Sequence, residues 1–157
     1  MEFSLIIRRA VKADAPDILN ILKDSFGQYI ECSGIPLPIE DMLENIESIE
    51  QDINDIDVFI ALLDGLPVGT VRVRAREGAP ARLTKLGVVS GHNNKGIGKS
   101  LMNLVDKVII ERRAAPLELY TAAKNANIMR FYYGRGFYVD STAKDRGYIR
   151  ALMKKDY

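Results

Sequence analysis

Cysteine is almost absent from this sequence of 157 residues, which contains one, Cys32. A single cysteine cannot form an intrachain disulfide, and it argues against a cysteine-based zinc site. No apolar run approaches the roughly 20 residues that a membrane helix needs. The first ten residues are too few and, at Arg8 and Arg9, too charged for a secretory signal. Together these absences predict a protein of the reducing cytoplasm without a membrane partner.

A large net charge is also missing, because 22 Lys and Arg stand against 21 Asp and Glu, which gives +1. Dispersed basic residues and a net charge near zero do not predict nucleic-acid binding. The charge is nevertheless uneven along the chain. Residues 1–60 hold 13 acidic and 4 basic residues, a net of −9, and residues 61–157 hold 8 and 18, a net of +10. This asymmetry indicates either oppositely charged partners or ordinary solvated surface.

No internal repeat or low-complexity linker divides the chain, so we expect one domain over residues 1–157. Hydrophobic periodicity predicts the order β-α-α-β-β-β-α-β-α-β-β, an α/β chain of the α+β type in which helices pack on a mixed sheet. In the third strand, Arg72 and Arg74 alternate with valines, which predicts one face in water. The predicted strands are Phe3–Arg8, Val58–Leu63, Leu66–Arg76, Ala81–Val89, Leu117–Thr121, a segment around Phe137, and Tyr148–Lys154. The first predicted helix has Asp14 as its N-cap, and Gly34-Ile35-Pro36-Leu37-Pro38 predicts a break after it. The second predicted helix runs from about Ile39 to Ile53. The third follows the loop that ends at Gly98, and the fourth spans Asn125–Gly134.

A glycine-bearing loop, His92-Asn93-Asn94-Lys95-Gly96-Ile97-Gly98-Lys99-Ser100, lies between a predicted strand and a predicted long helix. Free N–H groups at a helix start and the helix dipole favour an anion, and two lysines add positive charge. A phosphate-bearing ligand is therefore the natural occupant. A nucleotide P-loop fits poorly because its first glycine position holds Asn93, and a dinucleotide fingerprint fails because its third glycine is Leu101. A plain strand-to-helix turn is the remaining alternative.

A second motif lies downstream, where Asn125 is followed seven residues later by Tyr132 and then by a turn ending in Gly136-Phe137. This segment resembles motif B of the GNAT superfamily of acyl-CoA-dependent N-acetyltransferases. The segment from Leu86 to Val88, followed by Asn93 to Gly98, resembles motif A of the same superfamily. The sequence departs from motif A at Asn93, where the family has Gln or Arg. Residues 25–57 are the part of the chain that the resemblance covers least.

The resemblance implies a GNAT-like fold, in which a central, mostly antiparallel twisted sheet is splayed between the motif A and motif B strands, with helices on both faces. It implies acetyl-CoA as co-substrate and no metal. The implied acceptor is a primary amine of a small molecule, a protein N-terminus or a lysine, and a homodimer is common in the family. The residues implied for coenzyme binding are Leu86, Gly87, Val88, Asn93, Asn94, Lys95, Gly96, Ile97, Gly98, Lys99, Ser100, Asn125 and Tyr132. Backbone groups of Leu86 and Val88 would bond the pantetheine amides, and N–H groups from Asn94 to Ser100 would hold the pyrophosphate.

Tyr132 is also the implied catalytic residue, because it would donate its hydroxyl proton to the departing thiolate. A phenol near its reference pKa of about 10 is protonated at neutral pH and can act as a general acid. The alternative for this residue is a core aromatic. His92 and Cys32 are assigned to packing rather than to chemistry, with Cys32 expected to be a buried or incidental thiol.

The general base is not assigned. Many family members place a Glu on the motif A strand where this sequence has Arg82. Glu77 acting through water and deprotonation by solvent are equal alternatives. An acceptor of positive charge is a further hypothesis, because the segment from Glu40 to Asp57 holds eight acidic residues and no Lys or Arg and would steer a cation. An acidic solvated surface is the alternative for that segment. A non-catalytic acyl-CoA-binding domain and a P-loop nucleotide-binding protein remain the alternative functions.

Overall fold

Seven strands form one sheet in the order β1-β2-β3-β4-β5-β7-β6, in a computed structural model that describes residues 4–35 and 44–157. Every neighbouring pair is antiparallel except β4 and β5, which are parallel. The order of strands and helices along the chain confirms the predicted one. The strands are β1 (Leu5–Arg9), β2 (Asp57–Leu63), β3 (Leu66–Arg74), β4 (Ala81–Val88), β5 (Leu117–Ala122), β6 (Tyr138–Ala143) and β7 (Arg150–Lys155). The helices are α1 (Ala15–Ser33), α2 (Ile46–Asp55), α3 (Ile97–Arg112) and α4 (Ala126–Gly134).

Strand β2 shows how the helices cover both faces of the sheet. Val58 and Ile60 pack with the buried residues of α1 and α2. Phe59 and Ala61 point the other way and belong to the larger core that contains α3 and part of α4. Successive residues of a strand alternate between faces, so a strand covered on both sides is hydrophobic throughout. The predicted arrangement of helices on both faces is confirmed.

Helix α1 begins and ends with two recognisable residues. Asp14 occupies the N-cap position, but its carboxylate does not cap the helix. It accepts hydrogen bonds from the Val11 N–H at 2.8 Å and from the Arg8 guanidinium at 2.6 and 2.9 Å. The predicted position is therefore right and the predicted capping bond is wrong. At the other end, Gly34 has φ +69°, the left-handed conformation with which glycine commonly ends helices.

Helix α2 starts later than the predicted Ile39. Residues 39–43 lie outside the described residues, and Glu44 and Asn45 precede the helix without being part of it. The Asn45 side-chain oxygen accepts from the Ser48 N–H at 2.8 Å, which caps the first turn. The helix then continues to Asp55, two residues beyond the predicted end.

Arg72 contradicts the predicted wet face of β3, because its side chain is 0% exposed. Its guanidinium donates to both carboxylate oxygens of Glu44, at 2.7 and 2.6 Å, and to Asp52 at 2.8 Å. Paired in this way, a buried arginine avoids the cost of an uncompensated charge. Arg74 lies on the same face and is exposed as predicted. Arg72 thus ties α2 and the segment before it to the sheet.

Strands β4 and β5 separate almost as soon as they meet. Their pairing is limited to Ala81 with Leu117 and Arg82 with Glu118. Farther along β4, one extra residue interrupts the pairing with β3, and Lys85 has φ +56° there. An extra residue of this kind is a β-bulge, which bends the strand that carries it. The sheet therefore opens between its fourth and fifth strands, as the resemblance implied.

Within the described residues, no helix combines the length and the apolar character needed to cross a bilayer.

Candidate functional site

The gap between β4 and β5 forms a cleft with a volume of about 970 Å³. Its walls come from β4, β5, α1, the start of α3, α4 and the β6–β7 connection. Most of the residues predicted for coenzyme binding line this cleft: Leu86, Gly87, Val88, Asn93, Asn94, Gly96, Gly98, Lys99, Asn125 and Tyr132. Lys95, Ile97 and Ser100 belong to the same loop and helix start without lining the cleft. The structure thus brings together two motifs that lie almost 40 residues apart in the sequence.

The first turn of α3 lies at one end of the cleft. Gly96 precedes it with φ +74°, a conformation that glycine adopts without strain. The N–H groups of Ile97, Gly98 and Lys99 come before the first intrahelical hydrogen bond, so they are available to an anion. That first bond runs from the Ser100 N–H to the Gly96 carbonyl at 3.0 Å.

Two N–H groups in the predicted phosphate cradle are already engaged. Ser100 donates within the helix, and Lys95 donates to the His92 carbonyl at 3.3 Å. Fewer of the N–H groups from Asn94 to Ser100 are therefore available to a phosphate than the sequence predicted. The Lys95 ammonium lies 3.2 Å from His92 Nδ1, and the His92 side chain is half-buried.

Helix α1 holds the glycine loop in place. The Asp24 carboxylate accepts from the Ser90 N–H at 2.6 Å and from the Ser90 hydroxyl at 3.1 Å. Asn93, which replaces the Gln or Arg of motif A, donates its side-chain amide to the Gln28 side-chain oxygen at 3.4 Å. The Asn93 side chain therefore connects the glycine loop to α1.

Beyond Arg82, strand β4 presents to the cleft a backbone edge that pairs with no other described strand. The Val89 N–H donates to the Val68 carbonyl of the β3 side at 2.9 Å. Backbone N–H groups alternate in direction along a strand, so the Val88 N–H points the other way, into the gap. On the helix side of the same strand, a Cβ on Gly87 would come closer than 3.0 Å to the Ser25 hydroxyl. The glycine is required because α1 packs directly on β4.

Tyr132 lies in α4, where it lines the cleft and is 5% exposed. Its ring packs edge-to-face against Phe131 and Phe137, with centroids 5.3 Å apart in each pair. Its hydroxyl makes no hydrogen bond to any residue that the structure describes. Burial, and to a lesser extent the nearby Tyr29, raise the pKa of Tyr132 well above its ordinary value. The phenol therefore remains a proton donor throughout the neutral range.

Asn125 has a structural role in addition to its place in the cleft wall. Its side-chain oxygen caps α4 by accepting from the Ile128 N–H at 3.2 Å, and its amide donates to the Ser33 hydroxyl at 3.2 Å. Contact with a pantetheine group stays a prediction for this residue.

The sequence analysis missed the contribution of α1 to the cleft. Ser25, Tyr29 and Cys32 follow one another at helical spacing and all line it. The Tyr29 hydroxyl accepts from the Ala122 N–H at 2.7 Å, which bridges α1 to β5 across the widened sheet. Cys32 was expected to be a buried or an incidental thiol; it is exposed, which excludes only the first of these. The i, i+4, i+7 pattern of these residues was the available signal.

The described part of the cleft wall lacks carboxylates. Among the described residues that line it there is no Asp or Glu. Arg82, at the position of the family's Glu, pairs with Glu118 at 3.2 Å, and Glu77 lies in the exposed turn after β3, away from the lining. Lys85 also lines the cleft, and burial lowers its pKa. Within residues 4–35 and 44–157, no cluster of His, Cys, Asp and Glu could hold a metal ion.

The sequence model of the acetyltransferase (GNAT) family matches residues 16–137. Among solved structures, the PaiA N-acetyltransferase of Thermoplasma acidophilum in complex with coenzyme A is 23% identical, with a TM-score of 0.84 over 98% of this chain and 99% of that one. The ribosomal-protein-alanine N-acetyltransferase of Brucella melitensis is 21% identical, with a TM-score of 0.74 over 97% and 99%. Naa50 of Arabidopsis thaliana, in complex with the bisubstrate analogue CoA-Ac-MVNAL, is 16% identical, with a TM-score of 0.76 over 98% and 99%. No curated protein matches the sequence.

Proposed function

This chain belongs to the acetyltransferase (GNAT) family, and from that premise we propose that it transfers an acetyl group from acetyl-CoA to a primary amine by direct attack, with Tyr132 as general acid. One observation carries the proposal. A single cleft combines the N-terminus of α3, the edge of β4 beyond Arg82 and a protonated tyrosine hydroxyl that bonds to no described residue. Coenzyme A in the Thermoplasma structure and its bisubstrate analogue in the Arabidopsis structure support the choice of co-substrate.

The chain's own groups account for binding of the co-substrate. The N–H groups of Ile97, Gly98 and Lys99, with the Lys99 side chain, fit the negative charge of the pyrophosphate. The Val88 N–H can bond an amide of the pantetheine arm as a neighbouring strand would. A cleft wall without carboxylates among the described residues adds no repulsion to the phosphates.

The reaction forms one bond and breaks one. The free amine attacks the acetyl carbonyl carbon, a C–N bond forms, and the carbonyl oxygen becomes an oxyanion that N–H donors on the β4 edge can stabilise. The carbon–sulfur bond then breaks, and the Tyr132 hydroxyl gives its proton to the departing thiolate. The amine loses its proton to water, and water returns a proton to Tyr132. We favour solvent for this deprotonation because Glu77 lies away from the cleft.

Thermal melting with acetyl-CoA, beside ATP with magnesium, tests the proposal. A ligand that binds only the folded state raises the melting temperature, by an amount that reflects about 2.7 kcal/mol at 100 times its Kd. We expect a rise with acetyl-CoA, no rise with ATP and magnesium, and release of free thiol when an acceptor amine is added. A rise with ATP alone would overturn the proposal in favour of a nucleotide-binding protein.

A non-catalytic acyl-CoA-binding domain remains the second candidate, because the described residues place no carboxylate in the cleft wall. A binding domain of this kind would also show a higher melting temperature with acetyl-CoA, but it would not transfer the acetyl group. Stabilisation by acetyl-CoA without thiol release with any amine supports this candidate over an enzyme.

A further inference from the structure

The hydroxyl of Tyr132 bonds to no described residue, so its position depends on the ring and the backbone that carry it. The ring packs edge-to-face against Phe131 and Phe137. The Tyr132 carbonyl accepts from the Arg135 N–H at 3.0 Å and from the Phe137 N–H at 3.1 Å. The turn that follows α4, residues 135–137, therefore folds back onto Tyr132 and fixes it from the C-terminal side.

The Arg135 side chain anchors this turn to α3. Its guanidinium donates to the Asn103 side-chain oxygen and, at 3.3 Å, to the Asp106 carboxylate. Both acceptors belong to α3, the helix whose first turn is the proposed pyrophosphate site. The Arg135 and Asp106 side chains are only 20% and 18% exposed, so water screens their attraction less than that of a fully exposed pair. The end of α4 is thus joined to the coenzyme-binding helix through one arginine.

Lys155 of β7 reinforces the same junction. Its ammonium donates to both carboxylate oxygens of Asp106, at 3.0 and 3.1 Å. Its alkyl chain passes beside the turn, where a Cβ on Gly136 would lie 3.5 Å from Lys155 Cε. The ammonium is also 6.0 Å from the centroid of the Phe137 ring, the ring that packs on Tyr132. Asp106 therefore holds the turn directly through Arg135 and from the side through Lys155.

Helix α4 is short, and its other end is fixed separately. At the N-terminus the Asn125 side chain caps the helix and bonds the Ser33 hydroxyl of α1. The helix has nine residues, which span about 13 Å at about 1.5 Å per residue, and Tyr132 lies in its last turn. Loss of the link at the C-terminal end therefore displaces Tyr132 while Asn125 stays in place.

We propose that Arg135 is a positioning residue for the reaction: its bonds to α3 hold the Tyr132 hydroxyl at the distance from the pyrophosphate site that the thioester sulfur requires. This inference rests on the proposed function. The start of α3 and the Tyr132 hydroxyl act on opposite ends of the pantetheine arm of one acetyl-CoA molecule. The relative position of α3 and α4 must therefore match the length of that arm, and a misplacement of about 1 Å can cost about 10²-fold in rate.

NMR of the protein with ¹³C-labelled tyrosine rings tests the positioning without an acceptor. The Tyr132 signals are those that disappear in Tyr132→Phe. We expect Arg135→Gln to shift these signals, both in the free protein and with acetyl-CoA. Arg130→Gln is the matched control, because Arg130 belongs to the same helix, is exposed and does not line the cleft, and it should leave them in place. Tyr132 signals that stay unshifted in Arg135→Gln overturn the inference.

Steady-state kinetics test the consequence for the reaction. The acceptor is the amine that the wild-type protein acetylates fastest among 1,4-diaminobutane, ethanolamine, lysine and a short peptide with a free N-terminus. We expect Arg135→Gln to lower kcat about 10-fold or more and to leave KM for acetyl-CoA nearly unchanged, because the first turn of α3 keeps its N–H groups. Arg135→Lys keeps the charge and should recover part of the rate, and Arg130→Gln should keep all of it. An unchanged kcat in Arg135→Gln overturns the inference.

A double variant separates positioning from any other role of Arg135. A residue that acts through Tyr132 has nothing to position once the hydroxyl is removed, so Tyr132→Phe combined with Arg135→Gln should be no slower than Tyr132→Phe alone. Losses that multiply contradict the inference. If Arg135→Gln does not fold, Asp106→Asn takes its place, because it weakens the bond to Arg135 from the α3 side and should shift the same Tyr132 signals.

The failures of the two proposals can be told apart. If acetyl-CoA does not raise the melting temperature, or if Tyr132→Phe keeps the full rate, the proposed function or its general acid fails. If acetyl-CoA binds, Tyr132→Phe is slow and Arg135→Gln changes neither the Tyr132 signals nor kcat, only the inference about Arg135 fails.

Discussion

Tyr132 is the residue on which the chemistry depends, and its replacement by phenylalanine separates catalysis from folding. Removal of a general acid lowers the rate by about 10²-fold or more, so we expect kcat for Tyr132→Phe to fall by at least that factor. The melting temperature and its rise with acetyl-CoA should change little, because the hydroxyl bonds to no described residue. Steady-state kinetics and melting curves check both parts.

Tyr133→Phe is the matched control, since Tyr133 is 51% exposed and does not line the cleft. A full rate for Tyr132→Phe, or an equal loss in both variants, contradicts the assignment. The pH profile adds a second check. Because the pKa of Tyr132 is raised, its ionisation should cause no loss of rate up to about pH 10, the ordinary value for tyrosine.

Asp14 provides a prediction about acid stability. Hydrogen bonds from Arg8, and then from the Val11 N–H, hold the pKa of this carboxyl below its ordinary value. A folded-state pKa below the unfolded one adds stability that is complete above about pH 4 and lost as the pH falls through the folded-state value. We expect Asp14→Asn to cost about 1 kcal/mol at pH 7 and almost nothing near pH 2. Urea denaturation at both values tests this, and a constant difference would contradict it.

Single residues were predictable from the sequence only where a local pattern identified them. The resemblance to motif B selected Tyr132 over Tyr133, because the tyrosine of that motif lies at a fixed distance from its Gly-Phe turn; the catalytic role of Tyr132 stays a prediction. The role of Tyr29 could not be predicted, because its hydroxyl accepts a hydrogen bond from the Ala122 N–H, which lies 93 residues away in the sequence. Arg72 was misassigned for the same reason, because its partners Glu44 and Asp52 are 28 and 20 residues upstream.

At the scale of elements, the approach of α1 to β4 shapes one wall of the cleft. Gly87→Ala would place a Cβ against the Ser25 hydroxyl and push the helix from the strand. We expect a loss of about 1–3 kcal/mol in the free energy of unfolding, the usual cost of overpacking, with weaker acetyl-CoA binding. Adding Ser25→Ala removes the hydroxyl and should recover part of both losses. Denaturant unfolding and acetyl-CoA titration of the single and double variants measure this.

Gly134→Ala is the control for that prediction, because a Cβ there meets nothing within 4 Å and φ is not positive. We expect no loss of stability from it. If Gly87→Ala leaves the free energy of unfolding unchanged, or if the double variant is no more stable than Gly87→Ala, the close packing of α1 on β4 is contradicted.

The ends of helices were predictable where a local sequence signal marks them. The end of α1 at Gly34 is such a case, since glycine takes the left-handed conformation there. Helix α2 starts at Ile46 because the Asn45 side chain caps it by accepting from the Ser48 N–H. The apolar stripe continues into the residues before Asn45, so the stripe alone predicted an earlier start. Periodicity extends a helix as far as apolar residues continue, whereas the cap decides where it begins.

For the whole molecule, the order of strands and helices was predictable from periodicity, but the gap in the sheet was not. Ala81 to Val89 reads as one ordinary strand, and nothing in its alternation indicates that its partner leaves it after Arg82. The splay was predictable only from the resemblance of two separate motifs. The opening coincides with the bulge at Lys85. The Tyr29 hydroxyl also accepts the hydrogen bond of the Ala122 N–H, a backbone group through which β5 could otherwise pair with β4.

The open edge of β4 leads to a prediction about the two halves of the sheet. The Val88 N–H faces the gap, whereas the Val89 N–H is bonded to the Val68 carbonyl at 2.9 Å. Amide hydrogen exchange measured by NMR should therefore be faster at Val88 than at Val89 in the free protein. Acetyl-CoA, bound along this edge, should slow exchange at Val88 much more than at Val89. If acetyl-CoA raises the melting temperature and leaves exchange at Val88 unchanged, it binds elsewhere, and the assignment of the gap between β4 and β5 as the pantetheine site is wrong.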